Sequence, residues 1–506
     1  MKFLANPTLF IFLLLSITLG QDQLGSDIDG QAAWDWSGSS VSLDSDGNRL
    51  AIGAIYNPGP SGPGDVRILE YSSGSWSQVG GDIAGEANND RFGHSVSIDS
   101  DGDRVAIGGP FNDGNGSNSG HVRVYEYSGG SWSILGSEIN GEAAGDESGY
   151  WQGVSMNGDG SRVAIGAWKN DGGGTNAGHV RIYEYSGGSW SQLGSDIDGG
   201  GNYYNYGYSV ALDSDGSHVI IGGPNKGDKG QVEIYEYSGS SWTQVGSDID
   251  NNTFYDGFGA SVDIDSDGNR IVVGAPQNNG YYTDPGYARV FEYSGGSWSQ
   301  MGSDITGEGG DDWFGAVVSI NSNGDKIMVS ASQNNGGASN AGHVRIYSWN
   351  GTAWNQVGLD IDGEAESDGS GYSASMSSDG NVVAIGAARN DGTGTDAGHV
   401  RVYNAFAAKV SGDAGFRMMA SPVSGQVLGN LLTNAWTQGM TGADVSNGNA
   451  NVWTLNVSSQ SWTALSDISN SGTSLAAGQG FLAYVFEDAD YDGSADLPVT
   501  LSVSGT

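Results

Sequence analysis

Seven tandem copies of one pattern fill most of this 506-residue chain, and a fixed period of that length restricts the fold to a repeat architecture. A tryptophan in a Ser/Gly setting recurs at Trp76, Trp132, Trp190, Trp242, Trp298 and Trp354. An Asp-Gly or Asn-Gly pair recurs at Gly47, Gly102, Gly160, Gly216, Gly268, Gly324 and Gly380. In the best-preserved copy, 85–139, SVSID alternates polar and apolar residues up to the Asp-Gly pair, the strongest short-range hairpin signal. RVAIG then reads as a strand buried on both faces, and HVRVYEY and WSILGSEI as a further hairpin around Ser-Gly-Gly-Ser. Four antiparallel strands repeated radially make an all-β protein, a seven-bladed β-propeller.

The seventh copy reaches His399–Tyr403 and lacks the Trp-containing fourth strand, while QLGSDI at 23–28 repeats QLGSDI at 192–197. The N-terminal strand is therefore expected to complete the last blade and close the ring, giving a propeller over 21–408. Phe258-Gly259 followed by Gly274-Ala275-Pro276 resembles the FG-GAP signature. Near copies stand at Phe92-Gly93 with Gly108-Gly109-Pro110, and at Tyr206-Gly207 with Gly222-Gly223-Pro224. The resemblance implies the propeller of integrin α heads and of secreted bacterial proteins. It leaves function open, because propellers host many activities.

Met1-Lys2 and the apolar run that follows read as a signal peptide over 1–20, too short to span a bilayer. The chain has no cysteine, as a large core permits, and this suits a secreted or cell-surface bacterial protein. A net charge of −40 argues against nucleic-acid and anionic-membrane partners and favours cations, basic partners or solubility. Residues 411–506 read as a small β-sandwich-like domain, ending so soon after a strand that the chain looks incomplete. This region resembles the C-terminal regions of proteins exported by type IX secretion.

That region contains Asp488, Asp490, Asp492, Ser494 and Asp496 in the pattern D-x-D-x-D-G-S-x-D. Carboxylates so spaced around Gly493 can converge on a calcium ion, the expected cofactor. Asp263, Asp265 and Asp267 before Gly268 repeat the spacing but lack the later carboxylate, so a plain hairpin turn competes with calcium there.

Antiparallel order places the loops between second and third strands, and those between blades, on one face. That face varies among copies and is acidic, with Glu86, Asp90, Glu142, Asp146, Asp312 and Asp368 among its residues. The recurrent His121, His179, His343 and His399, and the arginines two residues after each, read as structural consensus. Function is expected where the repeat breaks: Tyr203, Tyr204 and Tyr206 in the fourth copy, Phe254, Tyr255, Tyr281 and Tyr282 in the fifth, and Trp168 in the third. Amphipathic rings beside carboxylates and amides suit sugar stacking or protein docking. No nucleophile elbow, phosphate loop or zinc spacing stands out. The chain is thus expected to be a monomeric, calcium-assisted adhesion or binding propeller for an extracellular carbohydrate or protein. A polysaccharide-degrading enzyme and a purely structural matrix protein are the alternatives.

Overall fold

The computed structural model describes residues 21–251, 253–276 and 285–405 in full, and beyond them the backbone of eight strands between 408 and 501. Contacts divide the chain into a unit at Gln23–Ala405 and a second comprising Met1–Asp22 and Phe406–Thr506. The larger unit holds seven antiparallel sheets of four or five strands. The second blade shows the rule. Ser95–Ile98, Arg104–Gly109 and His121–Ser128 pair in sequence, and the last of these takes both Ser131–Ile134 and Ile139–Asn140 as its outer neighbours. The second strand is buried along its length because neighbouring blades cover both its faces, which is why it reads as an unbroken apolar run.

First strands of successive blades adjoin one another in cyclic order, including the seventh against the first, so the ring is closed. The closing strand is N-terminal: Ile28 pairs with Val400 and Asp29 with His399. Leu24 N–H also donates to Val402 O at 2.7 Å.

Each recurrent tryptophan bolts its blade to the one before. Trp132 Nε1–H donates to Val79 O (2.8 Å), Trp190 to Leu135 O (2.8 Å) and Trp354 to Met301 O (3.1 Å). Trp76 donates to Leu24 O at 2.7 Å, so the same bolt crosses the closure.

The FG and GAP glycines meet across the seams. At Gly53 a Cβ would lie 2.1 Å from Gly93 O, and at Gly93 (φ 89°) it would meet Asp65 O at 2.7 Å. Only glycine allows both the left-handed backbone and this approach. The preceding Phe92, Phe258 and Phe314 are fully buried. The second unit pairs Gly415–Ala420, Gly480–Val485, Val452–Asn456 and Ser461–Ala464 in that order as one antiparallel sheet.

Candidate binding sites on the loop face

Six of the seven connections between blades follow one plan: a residue in the left-handed region, an aspartate, a second left-handed residue, the FG aromatic or its substitute, and a glycine. In the second blade these are Asn89 (φ 71°), Asp90, Arg91 (φ 52°), Phe92 and Gly93. The aspartate clamps the turn. Asp312 accepts from Gly309 N–H (2.7 Å) and from Asn334 Nδ2 (3.0 Å), and Asp368 makes the equivalent pair with Ala365 and Asn390. The glutamates of this face pair with the recurrent arginines, Glu86 with Arg123 and Glu308 with Arg345. Much of the acidity expected to meet ligand is therefore engaged in holding the loops.

The fourth blade departs from the plan, with Tyr204 where the others have aspartate. Tyr203 and Tyr204 line a cleft of about 500 Å³ with Asn202, Asn225, Asp228 and Tyr255. Tyr203 and Tyr255 are each 60 % exposed. Both rings stand on left-handed backbone (φ 61° and 62°), and their N–H groups donate to Thr175 O and Asp228 O at 2.7 and 2.6 Å. Phe254 lies beside Tyr255 (centroids 6.1 Å apart), with the Lys229 ammonium 4.7 Å from its ring. Four of the residues expected from sequence thus come together. Tyr206 does not join them. It occupies the FG aromatic position, is 1 % exposed and donates its hydroxyl to Glu233 at 2.8 Å, so it is core. Tyr281, Tyr282 and the aspartates of 488–496 lie outside the described residues.

The aspartates at 263–267 point in different directions. The Asp263 carboxylate accepts from Ile320 N–H (2.8 Å) and Ser319 Oγ (2.9 Å) in the next blade, taking the seam position that Ser42, Ser97 and Ser155 fill elsewhere. Burial raises its pKa to about 6. Asp265 instead caps its own turn through Asn269 and Arg270 N–H, and Asp267 is exposed. The three carboxylates do not converge.

A second site, which the sequence reading did not assemble although it named Trp168, surrounds the loop-face mouth of the central channel. Half-buried rings run around one arc of it in contact. Trp36 meets Tyr56 (5.3 Å) and Tyr372 (6.2 Å), Tyr372 meets Trp151 (5.1 Å), and His94 stacks on Tyr150 (4.5 Å). Tyr150 in turn meets Trp168 (5.2 Å) and Tyr208 (6.2 Å). Trp168 therefore belongs here, not to the tyrosine cleft, and its Nε1–H donates to Glu147 Oε2 at 3.1 Å. Within the channel Gln152 reaches across to Ser261 Oγ (2.7 Å) and Ala316 O (3.3 Å).

Arg91 lies over Tyr56 (5.2 Å) and Phe111 (4.5 Å), and Arg389 over Trp36 (5.3 Å). Among the described residues, no ion pair engages either guanidinium. Burial, with Arg91 nearby, holds the His94 pKa down to about 3, so its Nδ1 accepts from Trp151 N–H at 3.0 Å as a neutral ring. Burial pushes the Tyr372 hydroxyl up to about 12. The sequence signal was the residue after each FG glycine: His94, Tyr150, Tyr208 and Tyr372 on the arc, against Ala260 and Ala316 in the fifth and sixth blades.

The chain is a closed, seven-bladed β-propeller with two aromatic sites on its loop face. Residues 83–125 match the family model of the FG-GAP repeat, and the same strand plan recurs around the ring. FG-GAP repeats are typical of extracellular proteins, and no helix among the described residues is long and apolar enough to cross a membrane. No curated protein matches the sequence.

Similar solved structures include the hydrazine synthase of Kuenenia stuttgartiensis (12% identity, 71% of this chain and 93% of that one, TM-score 0.46). Another is a 6-phosphogluconolactonase-like protein of Bacteroides uniformis (13%, 65% and 86%, 0.46). A chain of a mitotic checkpoint complex is a third (12%, 79% and 98%, 0.48). Likeness at this level says nothing about activity.

Proposed function

We propose that this protein is an exported binding propeller that holds an extracellular carbohydrate on its loop face and acts by recognition, not catalysis. The observation that supports it is the cleft between the fourth and fifth blades. It presents Tyr203, Tyr204 and Tyr255 beside the amides of Asn202 and Asn225. Stacking rings fixed by backbone hydrogen bonds, with amide donors at their edge, are what a sugar ring needs: apolar faces meet the aromatics and hydroxyls meet the amides. Calcium belongs to the proposal through Asp488–Asp496. The leader at 1–20 supplies the export step.

A second reading rests on the channel mouth. Two guanidinium groups on aromatic rings, in a chain of net charge −40, suit a carboxylate or sulfate borne by a glycan or protein. The test is binding of Gln21–Thr506 to neutral and acidic polysaccharides, with calcium and with chelator. Loss of binding in Tyr203→Ala/Tyr255→Ala is the expected result. Unchanged binding in that variant, with loss in Arg91→Gln/Arg389→Gln, moves the site to the mouth. Silence across all polysaccharides refutes the carbohydrate reading.

A further inference from the structure

Four of the seven blades bring one histidine and two carboxylates to a common point: Glu86–His121–Glu138, Glu142–His179–Asp196, Glu308–His343–Asp360 and Asp27–Glu364–His399. In the third blade His179 is 1 % exposed, and neither ring nitrogen has a hydrogen-bond partner. Its Nδ1 faces Glu142 Oε2 at 3.8 Å and Asp196 Oδ2 at 3.9 Å. A buried, unpartnered imidazole nitrogen is costly unless something occupies the space before it.

The repeats themselves separate the explanations. Where the histidine is replaced, by Asp65, Gln231 or Tyr287, the glutamate is replaced too, by Gln31, Gly200 or Asn252. The fourth-strand acid nonetheless persists, as Asp82, Asp248 and Asp304. The neighbouring arginine persists without the glutamate at Arg67 and Arg289. The glutamate therefore follows the histidine and not the arginine. Packing of the imidazole alone gives no reason for that linkage, whereas shared ligation does.

The arginines also set which clusters are open. Arg123 and Arg345 each bridge both carboxylates of their cluster and fill the space between them. Arg181 instead donates to Asn140 O at 2.9 Å and makes one longer ion pair, 3.6 Å, with Glu142, so it does not bridge the two carboxylates.

We propose that Glu142, His179 and Asp196 form a binding site for a divalent transition-metal ion of the zinc class. One imidazole with two carboxylates matches that class, while calcium and magnesium take oxygen ligands throughout. Bonds of about 2.1 Å in a tetrahedral set put ligand atoms roughly 3.4 Å apart. The observed spacing needs only a small closure, and the half-exposed Glu142 and Asp196 side chains can supply it. The seventh blade is open in the same way, since Arg401 donates to Asp362 O at 2.7 Å and is 3.4 Å from Glu364.

The test is titration of the chelator-treated full chain with zinc by calorimetry, and with cobalt by visible absorption. His179→Gln, which copies the fourth blade's Gln231, and Glu142→Gln are run beside it. The expected result is stoichiometric zinc binding, with each variant losing one site or weakening it at least tenfold while its melting temperature without metal stays near wild type. If a variant fails to fold, zinc-dependent shifts of the His179 ring-nitrogen NMR signals in the wild-type chain decide the matter. Absence of stoichiometric binding, affinity unchanged in both folded variants, or unshifted His179 signals overturns the proposal.

Discussion

Ring closure makes its sharpest prediction at Ile28. This side chain is 6 % exposed and packs with Val41, Leu43 and Leu69 of the first blade and Val400 and Val402 of the seventh. Ile197 occupies the same place at the seam of the third and fourth blades, with the same 6 % exposure, among Val180, Ile182 and Val210. Truncating a buried isoleucine to alanine costs about 2–5 kcal/mol in lost transfer energy and residual cavity. Equal burial in equivalent packing gives Ile28→Ala and Ile197→Ala the same cost, although one residue sits at the chain's beginning and the other inside it. The assay is urea denaturation followed by tryptophan fluorescence, with hydrogen exchange at Val400 and Val402 reporting on the closing strand. In Ile28→Ala both amides exchange faster and the midpoint falls as far as in Ile197→Ala. A change within about 0.5 kcal/mol in Ile28→Ala, beside a large loss in Ile197→Ala, would refute closure by this strand.

Trp190→Phe removes the N–H that satisfies Leu135 O and should cost about 1–3 kcal/mol; an unchanged melting temperature would show that the bolts are idle. Asp312→Ala leaves Gly309 N–H and Asn334 without their acceptor and should destabilise by a similar amount, with calcium affinity unaltered; a fall in calcium binding would return the loop-face aspartates to a metal role. Asp65 gives a pH signature, because burial, aided by Asp82, raises its folded pKa from 3.8 to about 7. Between those values the folded chain holds a proton that the unfolded chain has released, so stability falls as pH rises from about 4 through 7. Asp65→Asn should therefore be more stable than wild type at pH 8 and nearly equal to it at pH 3.5, measured by thermal melting at both; the same difference at both pH values contradicts the assignment.

Much of this architecture is legible because repetition turns a tertiary question into a counting one. The tryptophan period, the Asp-Gly turns and the displaced QLGSDI copy specify the number of blades and the strand that closes them, since each blade needs the same four strands. Breaks in the repeat also single out Tyr203, Tyr204, Phe254 and Tyr255, which the fold brings together, because loop length and composition vary only where the scaffold does not dictate them. Tyr206 looks identical in kind to its neighbours yet is core. Its place in the FG plan decides its burial, and residue type does not.

The limits of sequence appear wherever neighbours come from different blades. Asp263 reads as part of a local Asp-Gly turn, with calcium as the competing role, but its carboxylate bonds a strand more than fifty residues further along the chain. The channel-mouth arc assembles between one and three rings from each of five blades, each unremarkable alone. The histidine clusters draw their three members from two connections and a strand. Local pattern, set by backbone preference and burial period, determines strands, turns and their number. Which side chains share a cavity depends on how the ring closes, because closure brings distant residues within hydrogen-bonding distance.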